Sequence, residues 1–208
     1  MLQISAIEPT TLAILKQLMQ IPELKNFHLA GGTALALKFG HRKSADLDLF
    51  SSSDFSNEFI ATIVSKKFPA FTYRSINNPI GLFGFIDNLK TDFVKYYQHP
   101  LVKGISIIEG IRILSDEDII AMKINAILRR GAKKDFWDIS ELLNYYSLAS
   151  CIDFYHLKYK EQILAVSIPQ AITYFDDAEE SEAPISLKNQ TWESVKKNIQ
   201  QKVREFLA

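Results

Sequence analysis

The stretch that most limits what this chain can become is Phe-His-Leu-Ala-Gly-Gly-Thr-Ala-Leu-Ala-Leu-Lys-Phe-Gly-His-Arg-Lys-Ser-Ala-Asp-Leu-Asp-Leu-Phe, running from Phe27 to Phe50. A short apolar run leads into paired glycines, a helix-forming segment from Thr33 to Phe39, a basic polar loop and a second apolar run. That second run carries Asp46 and Asp48. Residues two apart on a strand share a face, about 7 Å from one another along the chain. Like charges that close need a cation between them or a raised pKa. Hard divalent ions suit such a pair, Mg²⁺ above all with Mn²⁺ as its substitute. The Gly31-Gly32 turn can bring backbone N–H groups against an anion at the start of the following helix. An anion cradle beside a carboxylate metal site is equipment for handling a nucleoside triphosphate.

The rest of the chain is consistent with a reduced intracellular setting and a globular fold. Lys+Arg and Asp+Glu balance at 24 each, so no global field draws the protein onto nucleic acid, and an RNA partner would have to meet a local basic patch. The single Cys151 excludes an internal disulfide, and four scattered His do not suggest a structural zinc site. No apolar run approaches the ~20 residues of a membrane span, and the N-terminus lacks the pattern of a signal peptide. A cytoplasmic protein with no membrane partner is expected.

In order along the chain, Pro9 opens a helix with an apolar stripe at Leu12, Ile14, Leu15, Leu18 and Met19. Ser56 caps a second helix to Phe68. Three β-like runs follow, Phe71–Arg74, Ile80–Ile86 and Thr91–Tyr97, with Asp87-Asn88 as a hairpin turn. Asp92 is one acid in a largely apolar and aromatic run; it is either a surface strand residue or a buried group that needs a partner. Ile111–Leu114 reads as a last strand or extended link. Ser115 begins a helix with Asp118 at its third position, and Gly131 ends it. Lys123 and Arg130 lie two turns apart on that helix, a pattern usual for a solvated face. A second helix from Lys133 places Lys134 and Asp138 at i,i+4 and Asp135 one turn before Asp138. Helical patterns continue through Ser150–Lys160, Pro169–Phe175 and Thr191–Leu207, with an acidic linker at 176–184. His28 is expected in the core. His41 and Arg42 either contact phosphate or decorate a loop.

The Gly31-Gly32 turn with Asp46-Leu47-Asp48 resembles the first motif of the polymerase-β-type nucleotidyltransferases. The fuller run, Gly31-Gly32-Thr33-Ala34-Leu35-Ala36-Leu37 and then Arg42-x-Ser44-x-Asp46-Leu47-Asp48-Leu49-Phe50, is similar to the AbiEii/AbiGii toxin family. Lys123 and Lys134-Asp135-Phe136-Trp137-Asp138-Ile139 resemble that family's later motifs, so the likeness spans about Phe27 to Leu143. It implies an NTP-using, metal-assisted enzyme in which Asp46, Asp48 and Asp92 bind Mg²⁺. Lys123 and Asp138 would join those three acids in catalysis. Gly31, Gly32, Thr33, Arg42, Ser44, Lys123, Arg130, Lys134 and Asp135 would line the nucleotide. It also implies an RNA (tRNA-like) or protein acceptor, and a toxin of a toxin–antitoxin or phage-defence system with a cognate antitoxin. Two other functions stay open: a nucleotide- or partner-binding module with reduced catalysis, and an antibiotic-type enzyme modifying a small aminated sugar. An acidic acceptor pocket would favour the sugar, and an open basic groove would favour RNA.

The expected architecture is α/β (α+β): a small mixed β-sheet nucleotidyltransferase core with flanking helices at 1–110, then a C-terminal helical bundle at 111–208 closing the nucleotide cleft.

Overall fold

The computed structural model describes all residues from Met1 to Ala208. A seven-stranded mixed sheet runs in the order β3-β4-β5-β2-β1-β7-β6. Its strands are β1 (Phe27–Leu29), β2 (Leu47–Ser51), β3 (Thr72–Tyr73), β4 (Gly81–Ile86), β5 (Leu89–Lys95), β6 (Ile105–Ile108) and β7 (Ile111–Leu114). The helices are α1 (Pro9–Met19), α2 (Gly31–Phe39), α3 (Asn57–Lys67), α4 (Asp116–Arg129), α5 (Lys133–Leu142), α6 (Leu148–Lys158), α7 (Ile168–Thr173), α8 (Asp176–Glu179) and α9 (Trp192–Leu207). None is long and apolar enough to cross a membrane.

Local chemistry accounts for most boundaries. Ser56 accepts a hydrogen bond from the Phe59 N–H and starts α3, and Ser115 does the same for Asp118 at the head of α4. Asp87 and Asn88 both take positive φ, 48° and 66°, the requirement of a two-residue hairpin whose twist matches its strands. Alternation on β2 is clean: Leu47, Leu49 and Ser51 are buried while Asp48 and Phe50 are half-buried. One face of the sheet therefore packs into the core, and the other carries Asp48.

One strand is unexpected, and a second, read as a last strand or an extended link, is a strand. Ile105–Ile108, unassigned from its sequence, is an edge strand paired antiparallel with β7; Ile105 and Ile107 are exposed, so the hydrophobic signal gave no inward face. Ile111–Leu114 lies inside the sheet, parallel to β1 through Leu29 and Ile113. The helical layer thus begins at α4, and a single apolar core runs from Leu15 under the sheet to Val203 of α9.

Candidate active site

The acids meet because of strand register. β2 and β5 are parallel neighbours with Asp48 directly opposite Asp92, and adjacent strands lie about 4.8 Å apart. Burial raises the Asp48 carboxyl above its ordinary value; Lys90 and Lys123 pull it down, while Asp92 and Asp46 push it further up. Asp46 sits just before β2, half-buried. Asp92 is 5% exposed. Its Oδ2 accepts from Lys90 Nζ at 2.9 Å, and its Oδ1 is buried without a hydrogen-bond partner. Lys90 is two residues before Asp92 and so shares its face. Burial works against its charge, but Asp92, Asp48 and Asp46 outweigh that and hold the ammonium above its ordinary value.

The glycine pair is dictated by what stands beside it. Gly31 has φ +67°, and a Cβ there would lie 2.5 Å from Asp48 Oδ2. A Cβ on Gly32 would lie 2.1 Å from an Arg42 guanidinium nitrogen. The first turn of α2 has no side-chain cap at Ala30, so its N–H groups remain available to an anion next to Asp48. Thr33 serves the loop: its hydroxyl hydrogen-bonds Ser44 Oγ at 2.9 Å and donates to the Asp46 carbonyl. That holds the 44–46 segment against α2.

Behind this lies a buried charge network. Arg42 donates from Nε to Asp138 Oδ1 at 2.7 Å and from Nη2 to Oδ2 at 2.9 Å, a bidentate pair. His41 Nε2 is 2.7 Å from the same Oδ1. Lys123 Nζ reaches Asp135 at 2.9 Å and Asp138 at 2.7 Å, and Arg130 completes the set on Asp135. Burial opposes the Asp138 charge, yet Arg42, Lys123 and His41 hold its carboxyl well below the ordinary value. Asp135 is lowered in the same way, burial being overcome by Lys123 and Arg130.

Several expected surface features are therefore interior ones. Lys123 does not lie on a solvated stripe; it is buried between two carboxylates. Arg42 and His41 neither decorate a loop nor point to solvent. The i,i+4 pair of Lys134 with Asp138 does not form, because Asp138 turns inward to stronger partners while Lys134 is exposed. Nine candidate residues (Gly31, Gly32, Thr33, Ser44, Asp46, Asp48, Asp92, Lys123 and Arg42) gather around β2 and the start of α2. Asp135, Asp138 and Arg130 back them from α4 and α5. Lys134 stands apart.

No three Asp, Glu, His or Cys side chains converge on one point at ligating distance. The donor set nevertheless suits Mg²⁺, which is usually held by one or two carboxylates together with substrate phosphates, and Asp92 Oδ1 is an oxygen acceptor in want of a partner. Next to Asp92 on the other side from Asp48 is a cleft of about 380 Å³, lined by Arg74, Ser75, Asn78, Phe83, Phe85 and Lys90. Sequence reasoning passed over it. Lys90 was legible from its two-residue spacing to Asp92, whereas nothing local marks Arg74 or Asn78.

The chain is similar to proteins of known family and known structure. The AbiEii family, described as nucleotidyl transferase AbiEii toxin of a type IV toxin–antitoxin system, matches residues 13–79, which include the glycine turn, Asp46 and Asp48. An uncharacterized protein of Aquifex aeolicus, aq_aa25, is 32% identical over 202 residues, covering 93% of this chain and 94% of that protein. Two solved structures from H. pylori share the fold. One, described as a candidate nucleotidyltransferase, has a TM-score of 0.59 at 20% identity, with 95% of each chain covered. The other, JHP933, has a TM-score of 0.52 at 18% identity, with 97% of this chain and 95% of that one covered. The chain belongs to the AbiEii nucleotidyltransferase toxin family, and it is a nucleotidyltransferase.

Proposed function

We propose that the protein transfers a nucleotidyl group from an NTP to an RNA-type acceptor in a Mg²⁺-dependent reaction. The observation that carries this is the line formed across the sheet. The uncapped glycine turn follows β1, Asp48 stands on β2, Asp92 on β5, and the cleft opens at Phe83 of β4, the residue opposite Asp92. In-line displacement needs the leaving pyrophosphate and the attacking hydroxyl on opposite sides of the α-phosphorus, and this layout supplies both ends.

The backbone N–H groups of Gly31, Gly32 and Thr33 receive the β- and γ-phosphate oxygens. Asp48 and Asp92, with Asp46 beside them, would hold Mg²⁺ (or Mn²⁺), which when bound neutralises phosphate charge. Asp92 Oδ1 accepts the proton of the acceptor hydroxyl as its oxygen bonds the α-phosphorus and the α–β bridging oxygen departs with pyrophosphate. Arg42, Lys123, Asp135 and Asp138 act as positioning residues that fix α2 and the 41–46 loop against α4 and α5.

The cleft supports the acceptor class. Arg74 and Lys90 suit phosphate, and Phe83 and Phe85 suit base stacking, the combination that binds single-stranded nucleic acid. Its one carboxylate, Asp92, is divided between Lys90 on Oδ2 and the metal and proton-accepting roles given above to Oδ1, which leaves no further acid for a cationic aminated sugar. The type IV description of the family supports a toxin role opposed by a cognate antitoxin.

The test is incubation with each labelled NTP, Mg²⁺ and bacterial tRNA, beside Asp48→Ala. Label on tRNA from the wild type alone is the expected result. Label on protein would replace the acceptor, and absence of both transfer and Mg²⁺-dependent NTP binding would overturn the reaction itself.

A further inference from the structure

Pyrophosphate and acceptor occupy the breadth of the sheet in this layout, so the ribose and base must leave the α-phosphate along the strands. Toward the start of β2 the way is closed by the 41–46 loop, locked by Arg42 on Asp138. Toward its end the same face continues. Phe50 follows Asp48 by two residues, about 7 Å on, and His28 lies opposite Phe50 in the β1–β2 register. Here a cavity of about 250 Å³ is lined by His28, Phe50, Ser52, Tyr96, His99 and Leu114, among others.

Its chemistry is that of a site for a flat, uncharged heterocycle. Phe50 and Tyr96 ring centroids are 4.9 Å apart, Tyr96 and His99 5.0 Å, and His99 and Tyr159 4.9 Å. Together they make a continuous aromatic wall. No Asp, Glu, Lys or Arg lines the cavity. Burial lowers both imidazoles: at His28 it outweighs a backbone hydrogen bond with Phe50, with Arg112 adding to it, and at His99 Lys158 adds to it, so at neutral pH both present neutral rings. His28 is 4% exposed; the Phe50 backbone hydrogen-bonds its imidazole, while Nδ1 is buried with no hydrogen-bond partner, an unsatisfied polar atom in the cavity lining. The wall is held rigidly: Asp118 accepts from the N–H groups of Val102, Lys103 and Gly104, just beyond the Tyr96–Leu101 segment. The nearby Lys158 ammonium is committed to Asp118 and the Pro100 carbonyl.

Resting on the transfer reaction above, we propose that this cavity is the nucleoside subsite of the donor NTP, with the base against the Tyr96–His99 wall and His28 reading its polar edge. His28 is then a specificity-determining residue for the choice of nucleotide.

Isothermal titration of the full chain in Mg²⁺ with ATP, GTP, CTP, UTP and inorganic tripolyphosphate tests it. Tripolyphosphate probes the glycine turn and acids alone. The wild type is expected to bind its preferred NTP at least about tenfold more tightly than tripolyphosphate. Ser52→Trp, which fills the cavity from an exposed rim position, should abolish that difference while leaving tripolyphosphate affinity within about twofold. His28→Gln should reorder the four NTPs with tripolyphosphate unchanged; a thermal melt of each variant confirms folding. A folded Ser52→Trp protein that keeps the wild-type preference over tripolyphosphate would overturn the subsite alone. Failure of the wild type to bind either NTP or tripolyphosphate would overturn the transfer reaction and the subsite with it.

Discussion

Asp48 carries opposed demands. Its carboxyl is desolvated and faces Asp92 and Asp46, and these effects raise its pKa against the pull of Lys90 and Lys123. A folded-state pKa above the unfolded value means that the folded protein binds the proton more tightly. Asp48 is therefore neutral to stability below about pH 3.8 and increasingly costly as pH rises through its folded value. Asp48→Asn should abolish transfer while raising Tm at pH 7 by roughly 2–4 °C, the shift expected for about 1 kcal/mol in a chain of this size, and the gain should shrink as pH falls toward 4. Paired melts at the two pH values check it; a Tm below wild type at pH 7 would refute the account. Gly31 is constrained from two sides, by its φ of +67° and by Asp48 at 2.5 Å from any Cβ. Gly31→Ala should cost about 1–2 kcal/mol for backbone handedness alone and should also weaken tripolyphosphate binding, because Asp48 and the first turn of α2 must move apart.

Between elements, the junction of the 41–46 loop with α4 and α5 rests on charges removed from water. Such groups are expensive to bury and tolerable only while paired. Asp138→Ala leaves Arg42 and Lys123 short of a counter-ion and should destabilise the fold by about 3–5 kcal/mol in chemical denaturation. The sign with pH is opposite to that of Asp48. The folded pKa of Asp138 is depressed, so its contribution is fully present above about 3.8 and is lost as pH falls from there through the folded value. The stability gap between wild type and Asp138→Ala should accordingly narrow in acid below pH 4. A gap that stayed constant would mean that packing, and not charge, is what Asp138 supplies.

Over the whole molecule the sheet and the helical layer share one apolar core, and α2 touches both β2 and α5. Thermal unfolding should therefore be a single cooperative transition, and calorimetry resolving two would show separable lobes. A ligand that binds only the folded form stabilises by mass action, by about 2.7 kcal/mol at a hundredfold excess over Kd. Mg²⁺ with the preferred NTP should thus raise the one Tm and leave that of Asp48→Ala unmoved. An open groove of about 820 Å³ between α6, α7 and α9 is lined by no Asp, Glu, Lys or Arg; it lacks the charge that triphosphate chemistry requires.

Much of this was legible in the chain because it is governed by neighbours a few residues apart. The caps at Ser56 and Ser115, the Asp87-Asn88 turn, the alternation that puts Asp48 on one face and Leu47 and Leu49 on the other, and the glycine turn all follow from short-range rules of backbone and side-chain direction. What the sequence could not determine depends on partners far apart along it. Arg42 and Asp138 are separated by 96 residues, and each alone looks like a surface charge. Asp92 becomes the neighbour of Asp48 only through the β2–β5 register, and the cleft and nucleoside cavity arise where strands distant in sequence lie side by side. Local conformational preference sets the elements; the burial of charge and the register of non-adjacent strands, which no local preference encodes, decided the site.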